Sequence, residues 1–174
     1  MLARAVVALT AILLLTSPVR ADLGGSQLVL VEPAGPIPEQ APIAVNFVFL
    51  VQNDSESTEA ITRVSILFPP GLAPQTETMW YDEIGPGWPV FDAVTLNPRW
   101  VEWVASCGAP CGIPIGESTH FGLLTVHSWL PDGWAELYWE VWGADGGELS
   151  GQVAVYTTPV DCESWARVKA LYAE

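Results

Sequence analysis

The sequence predicts an all-β protein: an antiparallel β-sandwich of about seven strands followed by one short C-terminal helix. Three observations carry that reading. All 15 Gly and all but one of the 15 Pro lie after residue 21, and they divide the chain at short intervals. The runs between them are rich in Val, Ile, Phe, Tyr and Trp, which favour a pleated, half-buried surface. No βαβ alternation is present, so the pattern lacks the crossover helices that a parallel sheet requires.

The elements follow in order. Arg4 and the apolar run "AVVALTAILLLT" (5–16) read as a signal peptide over residues 1–21, with Val19 and Ala21 at the selected positions of the cleavage site. The run is short for a membrane span, and a retained N-terminal anchor is the alternative. Residues 22–41 hold a first strand, "SQLVLVEP", and the Pro-rich "PAGPIPEQAP", which is extended and semi-rigid. The sandwich occupies 42–160. In "IAVNFVFLV", Ile43, Val45, Phe47, Phe49 and Val51 share one face and the other face is also mostly apolar, as in a central strand. "NDSESTE" reads as a polar turn. "ITRVSILF" then buries Val64, Ile66 and Phe68 and turns Arg63 and Ser65 outward.

Residues 72–112 read as an irregular, Trp-rich insert ending in a cysteine loop, because Pro and Gly crowd "MWYDEIGPGWPVF". Within it "PRWVEWVAS" is a strand. "STHFGLLTVHSWL" is another, with Gly122 as a candidate bulge. "WAELYWEVW" and "LSGQVAVYTT" form a hairpin around "GADGGE". Over 161–174, Asp161 or Ser164 can cap a helix, and Trp165, Val168, Leu171 and Tyr172 recur at helical spacing.

Composition narrows the function. After residue 21, four bases (Arg63, Arg99, Arg167 and Lys169) stand against 20 acids, a formal charge of −16. That field repels nucleic acid and anionic headgroups and favours neutral or basic partners. No later apolar run is long enough for a membrane span. Nucleophile-elbow, zincin and P-loop motifs are missing, so no enzyme is expected. Glu136 and Glu140 sit four residues apart on a strand, about 13 Å, too far for a glycosidase pair. No cofactor is implied.

Cysteine chemistry suits an exported chain. "CGAPC" is spaced to close a local Cys107–Cys111 disulfide; Cys162 then stays unpaired, or it pairs with one of the two and frees the other, and either way an odd thiol is left that can link two chains or react. His120 and His127 are the only histidines and the only metal candidates with scattered Met and Cys companions. On a straight strand they face opposite ways, and a bulge at Gly122 would bring them together. The acidic loops "NDSESTE" and "DGGE" offer hard oxygen ligands but lack the spacing of a calcium loop.

One face stands out. Read with a period of two, "WAELYWEVW" turns Ala135, Leu137, Trp139 and Val141 one way and Trp134, Glu136, Tyr138, Glu140 and Trp142 the other. The first set is a core face. The second is aromatic and acidic at once, with rings about 13 Å apart, and suits stacking on sugars with carboxylates between them. Trp88 is a further candidate for this site. Alternatively the insert folds back over the face, with Trp80, Trp88 and Trp100 making a second small core.

The segments "PIAVNFVFLVQND", "ITRVSILFPPGL", "IPIGESTHFGLLTV", "GWAELYWEVWGADG" and "SGQVAVYT" resemble the extracytoplasmic immunoglobulin-like modules of bacterial and archaeal surface proteins. The resemblance covers Pro42 to Leu72 and Ile113 to Thr157, about half of the chain after residue 21, and rests on turn chemistry. It implies an immunoglobulin-like sandwich with a non-catalytic role and brings no catalytic residues. The stretch from Trp80 to Ala109 departs from it. The expectation is therefore a secreted, periplasmic or cell-surface binding module for a glycan or surface protein. Two alternatives stand beside it. One is a structural subunit of a surface layer or filament, assembling through Ser26–Glu32 or the odd cysteine. The other is a periplasmic metal-binding protein.

Overall fold

Alternation of buried and exposed residues builds two sheets in a computed structural model, which describes residues 22–35, 37–38, 43–82, 89–127 and 134–158. The expected signal peptide, Trp88, Cys162 and the C-terminal helix lie outside the described residues. The first sheet has four antiparallel strands in the order β1 (Gln27–Glu32), β3 (Ile43–Gln52), β8 (Ser118–His127) and β5 (Leu72–Tyr81). The second has six, in the order β2 (Ile37–Pro38), β10 (Glu148–Thr158), β9 (Trp134–Gly143), β4 (Ile61–Leu67), β7 (Trp100–Ala105) and β6 (Phe91–Asn97). All pairings are antiparallel except the two-residue β2–β10 contact.

The core lies between the sheets, where apolar side chains leave water. Val45, Phe47, Phe49, Val51, Phe121 and Leu123 meet Val64, Ile66, Val101, Trp103, Leu137 and Val141 there. Phe68 packs edge-on to Phe47 at 5.4 Å, and Phe121 joins Phe91 at 4.9 Å and Trp103 at 5.3 Å. The strands read from "IAVNFVFLV", "ITRVSILF" and the β9–β10 hairpin occur where expected. Cys107 and Cys111 are disulfide-bonded across a short 3-10 turn.

Three expectations change. Ten strands are present among the described residues in place of about seven. The stretch 72–112 is not an irregular insert: it supplies β5, β6 and β7, and Trp103 sits fully buried at its centre. Pro74 is accommodated because β5 is an edge strand, where no ladder partner is lost, and the register shifts between Gln75 and Trp80. Finally, Gly122 is not a bulge. β8 pairs with β3 in unbroken register through Val48↔Gly122. Glycine is required because the Trp80 indole lies on the backbone where a Cβ would stand.

The polar stretch after β3 is also more than a turn. Asn53, Ser57 and Glu59 are buried. The Asn53 amide donates to the carbonyls of Glu59 and Ile113, both at 2.9 Å, and its oxygen accepts from Ser26 at 3.2 Å. The Glu59 carboxylate accepts from the amides of Asp145 and Gly147, which fixes the β9–β10 loop. These oxygens satisfy the protein's own donors. Among the described residues, no group of three or more His, Cys, Asp or Glu is placed to hold a metal ion.

Candidate functional site

The outer face of the six-stranded sheet gathers most of the residues singled out in the sequence. Strand pairing places them in rows across the sheet. One row runs Glu148, Trp142, Arg63, Val104 and Asp92 from β10 to β6. The next runs Ser150, Glu140, Ser65, Glu102 and Val94. A third carries Gln152, Tyr138, Leu67, Trp100 and Asn97, and beyond it Glu136 lies beside Ala154 and Trp134 beside Tyr156.

Trp134, Glu136, Tyr138, Glu140 and Trp142 therefore do share one face of β9. Trp134 is 46% exposed and Glu136 is exposed, while Tyr138, Glu140 and Trp142 are half-buried by their neighbours in the rows. The expectation that the insert folds back over them is not what the described residues show. Trp80 belongs to the other sheet, and Trp100 stands in the same row as Tyr138 with Leu67 between them.

Sequence reading missed the polar centre of this face. Arg63 donates from Nε to Glu102 at 3.2 Å, and its guanidinium lies 5.1 Å from the centre of the Trp142 ring. Trp100 donates its indole N–H to the Ser65 hydroxyl. Both polar partners are deeply covered: Glu102 is 6% exposed and Ser65 is 1% exposed, although both point away from the core. The alternation in "RWVEW" was the available signal, because it sets Trp100 and Glu102 on the same side. Their meeting with Arg63 and Ser65 depends on the β4–β7 pairing, which no local pattern encodes.

Burial pushes the Glu102 carboxyl above its ordinary range; Arg63 pulls it down and Glu140, across Ser65, adds to the rise. A carboxyl raised on folding binds more protons in the folded chain than in the unfolded one. Its contribution to stability is present at low pH and is lost as pH rises through its folded value. Glu102→Gln keeps the shape and removes the titration. Its stability relative to the wild type should improve as pH rises from about 4 to about 7 in denaturant titrations. A difference that stays constant with pH would show that Glu102 titrates as it does in the unfolded chain.

The two histidines do not converge. His127 points inward and is fully buried, with neither ring nitrogen hydrogen-bonded. His120 points outward and pairs with Asp82 at 2.8 Å. The bulge that would bring them together is missing, for the reason given at Gly122.

No protein-family model matches the sequence, and no curated protein matches it. Solved structures do resemble the fold. An uncharacterized protein from Nocardia farcinica with an immunoglobulin-like fold aligns at TM-score 0.53 and 16% identity, covering 76% of this chain and 97% of that one. The N-terminal domain of the Streptococcus gordonii adhesin Sgo0707 aligns at TM-score 0.56 and 9% identity, covering 76% of this chain and 32% of that one. Domains D2 and D3 of the major pilin SpaD from Corynebacterium diphtheriae align at TM-score 0.50 and 8% identity, covering 75% and 52%. The chain has the immunoglobulin-like β-sandwich fold that these solved structures share.

Proposed function

We propose that the chain is an exported, non-catalytic binding module of the cell surface, and that the outer face of the six-stranded sheet holds its ligand. One observation carries this reading: Trp134, Tyr138, Trp142 and Trp100 stand on a single sheet face with Glu136 and Glu140. Aromatic rings that stay half-exposed present flat apolar area, and the carboxylates between them accept hydrogen bonds from hydroxyls. A glycan offers both complements. The likeness to an adhesin domain agrees with a surface role, and the expected signal peptide agrees with export.

Binding to a panel of immobilised glycans tests the reading. Trp134→Ala and Tyr138→Ala should each weaken a captured glycan about threefold to tenfold, the worth of one stacked ring. Trp134→Ala should leave thermal stability nearly unchanged, since it is the most exposed of the rings on β9. Binding that survives both substitutions would move the ligand away from this face.

A structural subunit is the second reading. Gln27–Glu32, from the segment offered for assembly in that reading, is β1: it pairs with β3 of the same chain on one side and stands last in the four-stranded sheet.

A further inference from the structure

Charge on the outer face of the six-stranded sheet is one-sided. Among the described residues its rows carry five carboxylates, Asp92, Glu102, Glu136, Glu140 and Glu148, against one base, Arg63. That base is already committed, since it pairs with Glu102 at 3.2 Å and lies over the Trp142 ring. Asp92 accepts from the Ser106 hydroxyl at 2.9 Å. Arg99 is exposed in the turn between β6 and β7, and among the described residues it forms no ion pair. Glu136, Glu140 and Glu148 likewise have no ion-pair partner among the described residues. The charge of Glu140 is instead felt by Glu102 across Ser65, as a repulsion.

This face also shows how it accommodates a cation. The Arg63 guanidinium is held between an aromatic ring, Trp142, and a carboxylate, Glu102. Tyr138 repeats the ring and the carboxylates with no base of the chain beside it in its row. It is half-buried on β9, with Glu136 and Glu140 on the same face about 7 Å away along the strand to either side. Its neighbours across the sheet are Gln152 and Leu67.

We propose that the ligand of this face is a glycan bearing free amino groups, with a sugar ring stacked on Tyr138 and its ammonium held by Glu136 or Glu140. The proposal rests on the reading of this face as a glycan site and names the class of glycan. An ammonium donates charge-assisted hydrogen bonds, about twice as strong as those of a hydroxyl. An N-acetylated sugar presents the same ring without the charge. Glycans carrying carboxylates or phosphates are repelled, both by this face and by the formal charge of −14 on the whole sequence. A lysine-rich peptide brings the ammonium on a flexible stem but no ring face for Tyr138 and the exposed Trp134 to stack on.

Calorimetric titration with a glucosamine tetramer and an N-acetylglucosamine tetramer tests it, at about 0.15 M salt and a pH that keeps the amines protonated. The glucosamine tetramer should bind about tenfold tighter, two carboxylates contributing up to about fivefold each. E136Q/E140Q keeps the shape of both side chains and should reduce that preference to about threefold or less. E117Q, an exposed carboxylate in the turn before β8, should leave it unchanged. Equal binding of the two tetramers, weakened in Y138A, overturns the amino preference and leaves the glycan reading standing. No binding of the glucosamine tetramer overturns the inference, and the glycan panel then decides whether the wider reading falls with it. A preference that survives E136Q/E140Q overturns the inference, and so does tetralysine binding as tightly as the glucosamine tetramer. Should E136Q/E140Q fail to fold, salt provides a second measurement on the wild type. Raising it to about 1 M should weaken the glucosamine tetramer and spare the acetylated one. Binding of the glucosamine tetramer that is insensitive to salt overturns the inference.

Discussion

Trp103→Ala should destabilise the protein by about 3–5 kcal/mol, the usual cost of truncating a buried Trp. For a chain of this size that is a fall in melting temperature on the order of 10 °C. The expectation rests on position. Trp103 is fully buried on β7, packs against Phe121 of the facing sheet, and is flanked on its own strand by buried Val101 and Ala105. Emptying that site opens a cavity at the contact between the sheets, which strands packed on both sides can fill only in part. Thermal denaturation of the variant beside Trp103→Phe measures it, the Phe variant keeping part of the volume. A loss of less than about 1 kcal/mol for Trp103→Ala would mean that residues 72–112 lie outside the core after all.

Asn53→Ala is expected to cost about 2–4 kcal/mol, because it leaves buried partners without hydrogen bonds. The Asn53 side chain joins three loops at one end of the sandwich: Ser26 before β1, Glu59 before β4, and Ile113 before β8. Removing it strands the Glu59 carbonyl and leaves the Ile113 carbonyl with only the Ile61 amide, in a buried site where water does not replace the lost donor. Asn53→Asp should also destabilise, since it keeps the size but loses both donors and adds a charge. Denaturant titration of the two variants separates these effects. If Asn53→Asp matches the wild type, the amide donors are not what holds the loops.

How much of this was legible in the sequence differs by element, and the reason is physical. Where one face of a strand is buried, the chain records the burial as alternation. Phe47, Phe49, Val64, Ile66, Leu137 and Val141 could therefore be placed inward from their spacing, and Trp134, Glu136, Tyr138, Glu140 and Trp142 outward. β6 carries almost no such record. It is exposed on both faces and is held by backbone pairing to β7, so "FDAVTLN" resembled a loop. The crowding of Pro and Gly in "MWYDEIGPGWPVF" likewise hid β5 and the start of β6, because edge strands tolerate residues that a central strand would reject. A one-dimensional pattern also cannot report what lies across the sheet. The raised Glu102 carboxyl, its pairing with Arg63, and the Trp80 ring covering Gly122 all arise from strands far apart in the chain.

By itself, the sequence determined the all-β class, the antiparallel hairpin of β9 and β10, the composition of the aromatic–acidic face and the spacing that lets Cys107 and Cys111 close a local bridge. Each of these depends on residues within one strand or on one short turn, where period and spacing suffice. Tertiary structure decided which strands stand side by side, and so which side chains join that face. Those outcomes follow from long-range pairing, whose register is chosen by burial of the whole sandwich and not by any segment alone.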